Sequence, residues 1–184
     1  MASSMTIQTA IDAGDLEELN RALASFPGSA NELICWGPGG KNVTHPLHYV
    51  SDKVFERTIS ESVALRLVEA LLKAGSDVNH KQRETALHAA ASLGTEEIGL
   101  RLIDAGALPN VLGSSGETPL HWAAHQGQAR LVARLLAAGA KTDIEDTRHR
   151  ATPLGWARHG LTNRLPGSSS GHAEVIALLG GQGA

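Results

Sequence analysis

An all-α solenoid of short helix pairs stacked in register is what this amino-acid sequence predicts, and three observations carry the prediction. One phrase recurs four times: His45-Pro46-Leu47-His48-Tyr49-Val50, Thr85-Ala86-Leu87-His88-Ala89-Ala90, Thr118-Pro119-Leu120-His121-Trp122-Ala123 and Thr152-Pro153-Leu154-Gly155-Trp156-Ala157. A second phrase follows the first three in phase: Leu71-Leu72-Lys73-Ala74-Gly75, Leu102-Ile103-Asp104-Ala105-Gly106 and Leu135-Leu136-Ala137-Ala138-Gly139. The spacing is nearly constant, with Thr85 and Thr118 33 residues apart, Thr118 and Thr152 34 apart, and Gly106 and Gly139 again 33 apart. Internal similarity at such a period marks a stack of small units.

Each phrase has a physical reading. Thr or His before Pro begins a helix, because the first residue caps it and Pro is tolerated where its missing N–H has no intrahelical acceptor. Within 118–126, Leu120, Ala123 and Ala124 fall on one face, and the alanines keep that stripe thin enough for close approach by a neighbour. Gly127 stops this helix. A second helix over about 129–138 places Leu131, Val132, Leu135 and Leu136 on one side, and Gly139 ends it. Neither helix buries its apolar face alone, so the units must stack.

The Thr-Pro-Leu-His-x-Ala-Ala phrase, the mid-repeat Gly, the Leu-Leu-x-x-Gly-Ala ending and the period together resemble the ankyrin repeat. Residues 10–19 resemble an amino-terminal capping repeat, and residues 171–179 resemble the second helix of a final unit. The resemblance implies one domain over 1–184, with units at about 5–30, 44–79, 84–110, 117–143 and 151–184, the outer two being caps. Three segments exceed the family pattern: the connector from about Phe26 to Val43, an insertion near Asp52 to Ser60, and another over Leu161 to Ser170. They are expected to be surface loops, and the functional alternative is that long loops on one edge enlarge a binding face.

Ankyrin units usually bind partners through the finger turns and the exposed face of each first helix. Carried onto this chain, that face holds Tyr49, Asp52 and Lys53, then Ser92 and Leu93, then Trp122, His125 and Gln126, and last Trp156 and His159. Three of the chain's six Phe, Trp and Tyr residues thus share one repeat position, and aromatic side chains carry much of the energy at interface centres. Lys81, Glu84, Glu117, Arg148 and His149 are the finger candidates. A recognition strip of Trp122, Trp156, His125 and His159, with Tyr49 further along, is the expectation.

Composition narrows the partner. With 16 basic and 19 acidic residues the net charge is −3, which offers no broad footprint for a nucleic-acid backbone. No apolar run approaches the length of a membrane span, residues 1–8 show no signal-peptide pattern, and the single Cys35 gives neither a disulfide framework nor a Cys-rich zinc site. The expectation is therefore a monomeric cytoplasmic adaptor or inhibitor that binds another protein, with no catalysis and no cofactor. Two alternatives stand beside it: a metal-dependent or thiol enzyme using His121, His125 or Cys35, and a bacterial host-directed effector. His121 and His125 have i, i+4 metal spacing but lack the Glu of a zinc hydrolase helix. The Gly167-x-Ser-x-Gly string has no strand before it, as a nucleophile elbow requires. His48, His88 and His121 fall where the family uses His to hold the finger backbone, and Gly155 in the last unit predicts a looser finger there.

Overall fold

Helix starts and stops follow the recurring phrases. The computed structural model describes residues 2–163 and 171–180. The chain runs through α1 (Ala2–Ala13), α2 (Leu16–Ser25), β1 (Ile34–Trp36), β2 (Asn42–Thr44), α3 (Pro46–Phe55), α4 (Glu61–Lys73), α5 (Ala86–Leu93), α6 (Glu96–Asp104), α7 (Pro119–Gln126), α8 (Ala129–Ala137), α9 (Pro153–Thr162) and α10 (His172–Gly180). His45, Thr85, Thr118 and Thr152 stand at the N-caps of the first helices of their pairs. Gly127 closes α7 at φ 71°, a left-handed conformation that a side chain would strain.

Two layers result. First helices α3, α5, α7 and α9 pack in succession, as do second helices α2, α4, α6, α8 and α10. Between the layers, Leu47, Leu87 and Leu120 are fully buried against Leu67 and Leu71, Ile98 and Leu102, and Leu131 and Leu135. Each such side chain contributes about 2 kcal/mol of burial. Ala90, Ala91, Ala123, Ala124 and Ala157 fill the seams between first helices, so the thin stripe read from the sequence is the packing surface.

Asparagines stitch successive units together. Asn79 donates from Nδ2 to the Gly106 carbonyl (3.1 Å) and accepts from the Leu108 N–H (2.8 Å). Asn110 does the same to Gly139 (2.9 Å) and Lys141 (2.8 Å), and Asn31 to Gly75 (3.0 Å) and Asp77 (2.6 Å). Each side chain thereby satisfies a carbonyl left over at a helix end. Surface ion pairs Arg101–Glu69, Arg130–Glu97 and Arg134–Asp104 also link second helices, and solvent screening keeps the contribution of such exposed pairs small.

One of the expected loops is corrected, and a second in part. The 26–43 connector holds an antiparallel hairpin that pairs Ile34 with Thr44, Cys35 with Val43 and Trp36 with Asn42. Ile34 is fully buried while Cys35 is exposed, and Gly37, Gly39 and Gly40 at positive φ make the turn. Strands of three residues are too short to show an alternation among so many glycines. The 52–60 segment is helix only over its first four residues, where α3 continues to Phe55; Arg57 then turns the chain at φ 60°, and Ile59 returns to the core. Residues 164–170 of the third insertion, with most of the Gly-x-Ser-x-Gly string, lie outside the described residues.

Candidate functional site

A cleft of about 490 Å³ opens between the fingers and the first helices of the last two units. Trp122 and Trp156 form its wall, with ring centroids 4.9 Å apart and planes at 86°. Each follows its cap by four residues, so stacking α9 on α7 brings the two half-buried indoles together. His125 and His159, one turn further along, continue the wall; His125 lies 6.0 Å from Trp156 and 5.8 Å from His159. Glu117, Asp146, Arg148 and His149 line the finger side. Edge-to-face aromatic pairs of this geometry contribute about 1 kcal/mol beyond their buried area.

Asp146 organises the last finger. Its carboxylate accepts from the backbone N–H of Arg148 (2.9 Å), His149 (2.7 Å) and Ala151 (3.2 Å), and from Trp156 Nε1 (3.0 Å). Burial works to raise its pKa, and the four donated hydrogen bonds outweigh burial, leaving it at about 2. The finger ahead of Gly155 is therefore held by Asp146 from within. Desolvation pushes His125 below its ordinary pKa, helped by His159 and His172, so it is neutral near pH 7.

Seven of the candidate residues read from the sequence converge on this cleft: Trp122, His125, Trp156, His159, Glu117, Arg148 and His149. Glu117 is 4% exposed, and its carboxylate accepts from the Ser115 N–H (2.8 Å), so it shapes the finger. Asp52 and Glu84 line a separate polar groove between the hairpin and the next finger, with Trp36, Lys41 and His48. Gln126 is exposed and donates to the Ser92 carbonyl, Leu93 is half-buried, and Lys81 is exposed on its finger.

Tyr49 and Lys53 are corrected. Tyr49 is 1% exposed and Lys53 8%, so neither belongs to an open face. The Tyr49 hydroxyl donates to Asp12 (2.7 Å), and Lys53 lies 4.8 Å from the Tyr49 ring centroid and 5.4 Å from that of Trp36. Helix α1 and the hairpin supply the covering groups, and neither belongs to the repeating phrase.

The ankyrin-repeat description, in three copies, matches residues 59–160, more than half of the chain and inclusive of every wall residue of the cleft. The chain belongs to the ankyrin-repeat family. No curated protein matches it significantly. Ankyrin repeats are in general protein–protein interaction modules and typically non-enzymatic, and no helix among the described residues is long and apolar enough to cross a membrane.

The ankyrin phrase also accounts for the histidines. His88 Nδ1 lies 3.3 Å from the Thr85 N–H and 2.9 Å from its hydroxyl; His121 Nδ1 lies 3.0 Å from both groups of Thr118. With Nδ1 accepting, His121 donates from Nε2 to the Ala151 carbonyl of the next finger (3.2 Å). Both ring nitrogens are engaged, so His121 cannot ligate a metal without breaking the repeat. His48 departs from this role because residue 45 is itself His; it sits 3.8 Å from Asp52, and His45 stacks on His80 at 4.7 Å. Among the described residues, no group of three or more His, Cys, Asp or Glu side chains is placed to hold a metal. Sequence reasoning missed Asp146, because it is one of three carboxylates, with Asp143 and Glu145, ahead of the capping Thr152, and nothing in the sequence sets it apart from the other two.

Proposed function

We propose that this ankyrin chain is a small adaptor or inhibitor whose partner protein seats on the concave face at the carboxy-terminal end, in the cleft walled by Trp122 and Trp156. The observation that carries the reading is the right-angled indole pair, half-exposed on successive first helices beside His125 and His159. Aromatic anchors in partly enclosed sites dominate interface energies, and this wall joins an apolar surface to a polar finger rim. A reducing compartment such as the cytoplasm suits a chain whose one thiol, Cys35, is free.

Selection of peptides from a random display library against the immobilised chain tests the reading. Selected peptides bind wild type, and the doubly substituted Trp122→Ala, Trp156→Ala chain, checked for retained helicity by circular dichroism, binds them at least 10-fold more weakly, about 1.4 kcal/mol. Equal binding by the two chains places the partner surface elsewhere.

A further inference from the structure

We infer that the Trp122–Trp156 corner is a seat for a cationic side chain, an arginine or lysine presented by the partner protein; the inference rests on the cleft being the partner surface. The two indoles meet edge to face, with their planes at 86°, and a cation seated in the angle between the planes is attracted by the ring quadrupoles. Behind them stands Asp146, 1% exposed. All four hydrogen bonds that it accepts come from neutral N–H groups, and among the described residues no lysine or arginine forms an ion pair with it. Its negative charge is thus fixed in place without a counter-ion. The hydrogen bond from Trp156 Nε1 draws that charge onto the indole and enriches the ring face.

A related arrangement, more widely spaced and tilted, is filled by the chain's own lysine. At the other end of the stack, the Trp36 and Tyr49 rings lie 5.7 Å apart at 57°, with Lys53 Nζ against both. There too an aromatic polar hydrogen, the Tyr49 hydroxyl, is donated to a carboxylate, Asp12, and Lys53 stands 3.6 Å from that carboxylate. Lys53 lies eight residues after its cap, His45. The corresponding residues at the open corner are Gln126 and Gly160, neither of which brings a positive charge. His125, held neutral by burial, does not compete for the acidic site. Arg148 is exposed on the finger rim, and among the described residues only Lys53 lies over an aromatic ring.

Four host peptides, acetyl-Gly-Gly-X-Gly-Gly-amide with X as arginine, lysine, citrulline or norleucine, test this on the full chain by ¹H–¹⁵N spectra of its three indoles. The arginine and lysine peptides shift the Trp122 and Trp156 signals with a Kd at least 10-fold lower than their neutral counterparts, and Trp36, already against Lys53, stays still. In the Trp122→Leu chain this discrimination is lost. Equal or tighter binding of citrulline or norleucine at the two indoles overturns the cationic seat while leaving the cleft as an apolar partner site. No shift with any peptide, or discrimination that survives Trp122→Leu, also overturns it. If the selected peptides ignore the double tryptophan change as well, the partner surface itself has been misplaced. The wild-type comparison requires no variant to fold.

Discussion

Asp146 and Asp52 are the same side chain under opposite forces. Asp146 is buried, yet four N–H donors stabilise its anion and bring its pKa to about 2. Asp52 is half-buried in the other groove; desolvation and the neighbouring Glu56 push it up to about 7, and Lys53 offsets only part of this. A raised folded-state pKa means that Asp52 favours the native state fully below the unfolded carboxylate value of about 4. That contribution is lost as pH rises through about 7, because the fold must then hold a poorly solvated charge. Asp52→Asn removes the ionisation. We expect the variant to match wild type near pH 4 and to exceed it by on the order of 2 kcal/mol at pH 8, discounted for partial exposure. Urea titrations at the two pH values check this, and a stability difference that does not vary with pH refutes the assignment.

Packing of α7 against α9 decides whether the cleft exists, and Gly160 sets their distance. A Cβ on this residue would stand 2.1 Å from the His125 carbonyl oxygen and 2.6 Å from His172 Nε2. That imidazole already bonds the same carbonyl at 2.8 Å, so neither atom has room to yield. Gly160→Ala must therefore push the helices apart, at a cost of about 1–3 kcal/mol, and it widens the Trp122–Trp156 corner. Gly155→Ala is the matched control, since its added methyl meets only Ala151 Cβ at 3.3 Å. Thermal unfolding should separate the two variants, with Gly160→Ala melting lower and Gly155→Ala staying near wild type. Identical behaviour would mean that the helices are free to slide.

At the scale of the whole molecule, what repeats was legible and what occurs once was not. Thr85 with His88 and Thr118 with His121 perform one task in successive units, so selection for that task writes the same letters each time. The cleft was legible for the same reason, because Trp122 and Trp156 share a register position. Tyr49 shares it too and is buried, since Asp12 and Trp36 come from segments outside the period. Asp146 acts through the backbone shape of a finger, which no spacing records. The same one-dimensional order governs how the stack unfolds, because each unit contacts only its neighbours. Leu120, 0% exposed in the fourth helix pair, lies between the central pairs and the last one, whose Leu154 remains half-buried. Leu120→Ala leaves a cavity and removes about 2–5 kcal/mol locally. The last pair, supported from one side, should open with it. Hydrogen exchange should then quicken across α7 to α10 while α3 to α5 keep their protection. Equal acceleration in every helix would show that the stack unfolds as one cooperative block, so that coupling between units exceeds the stability of any single unit.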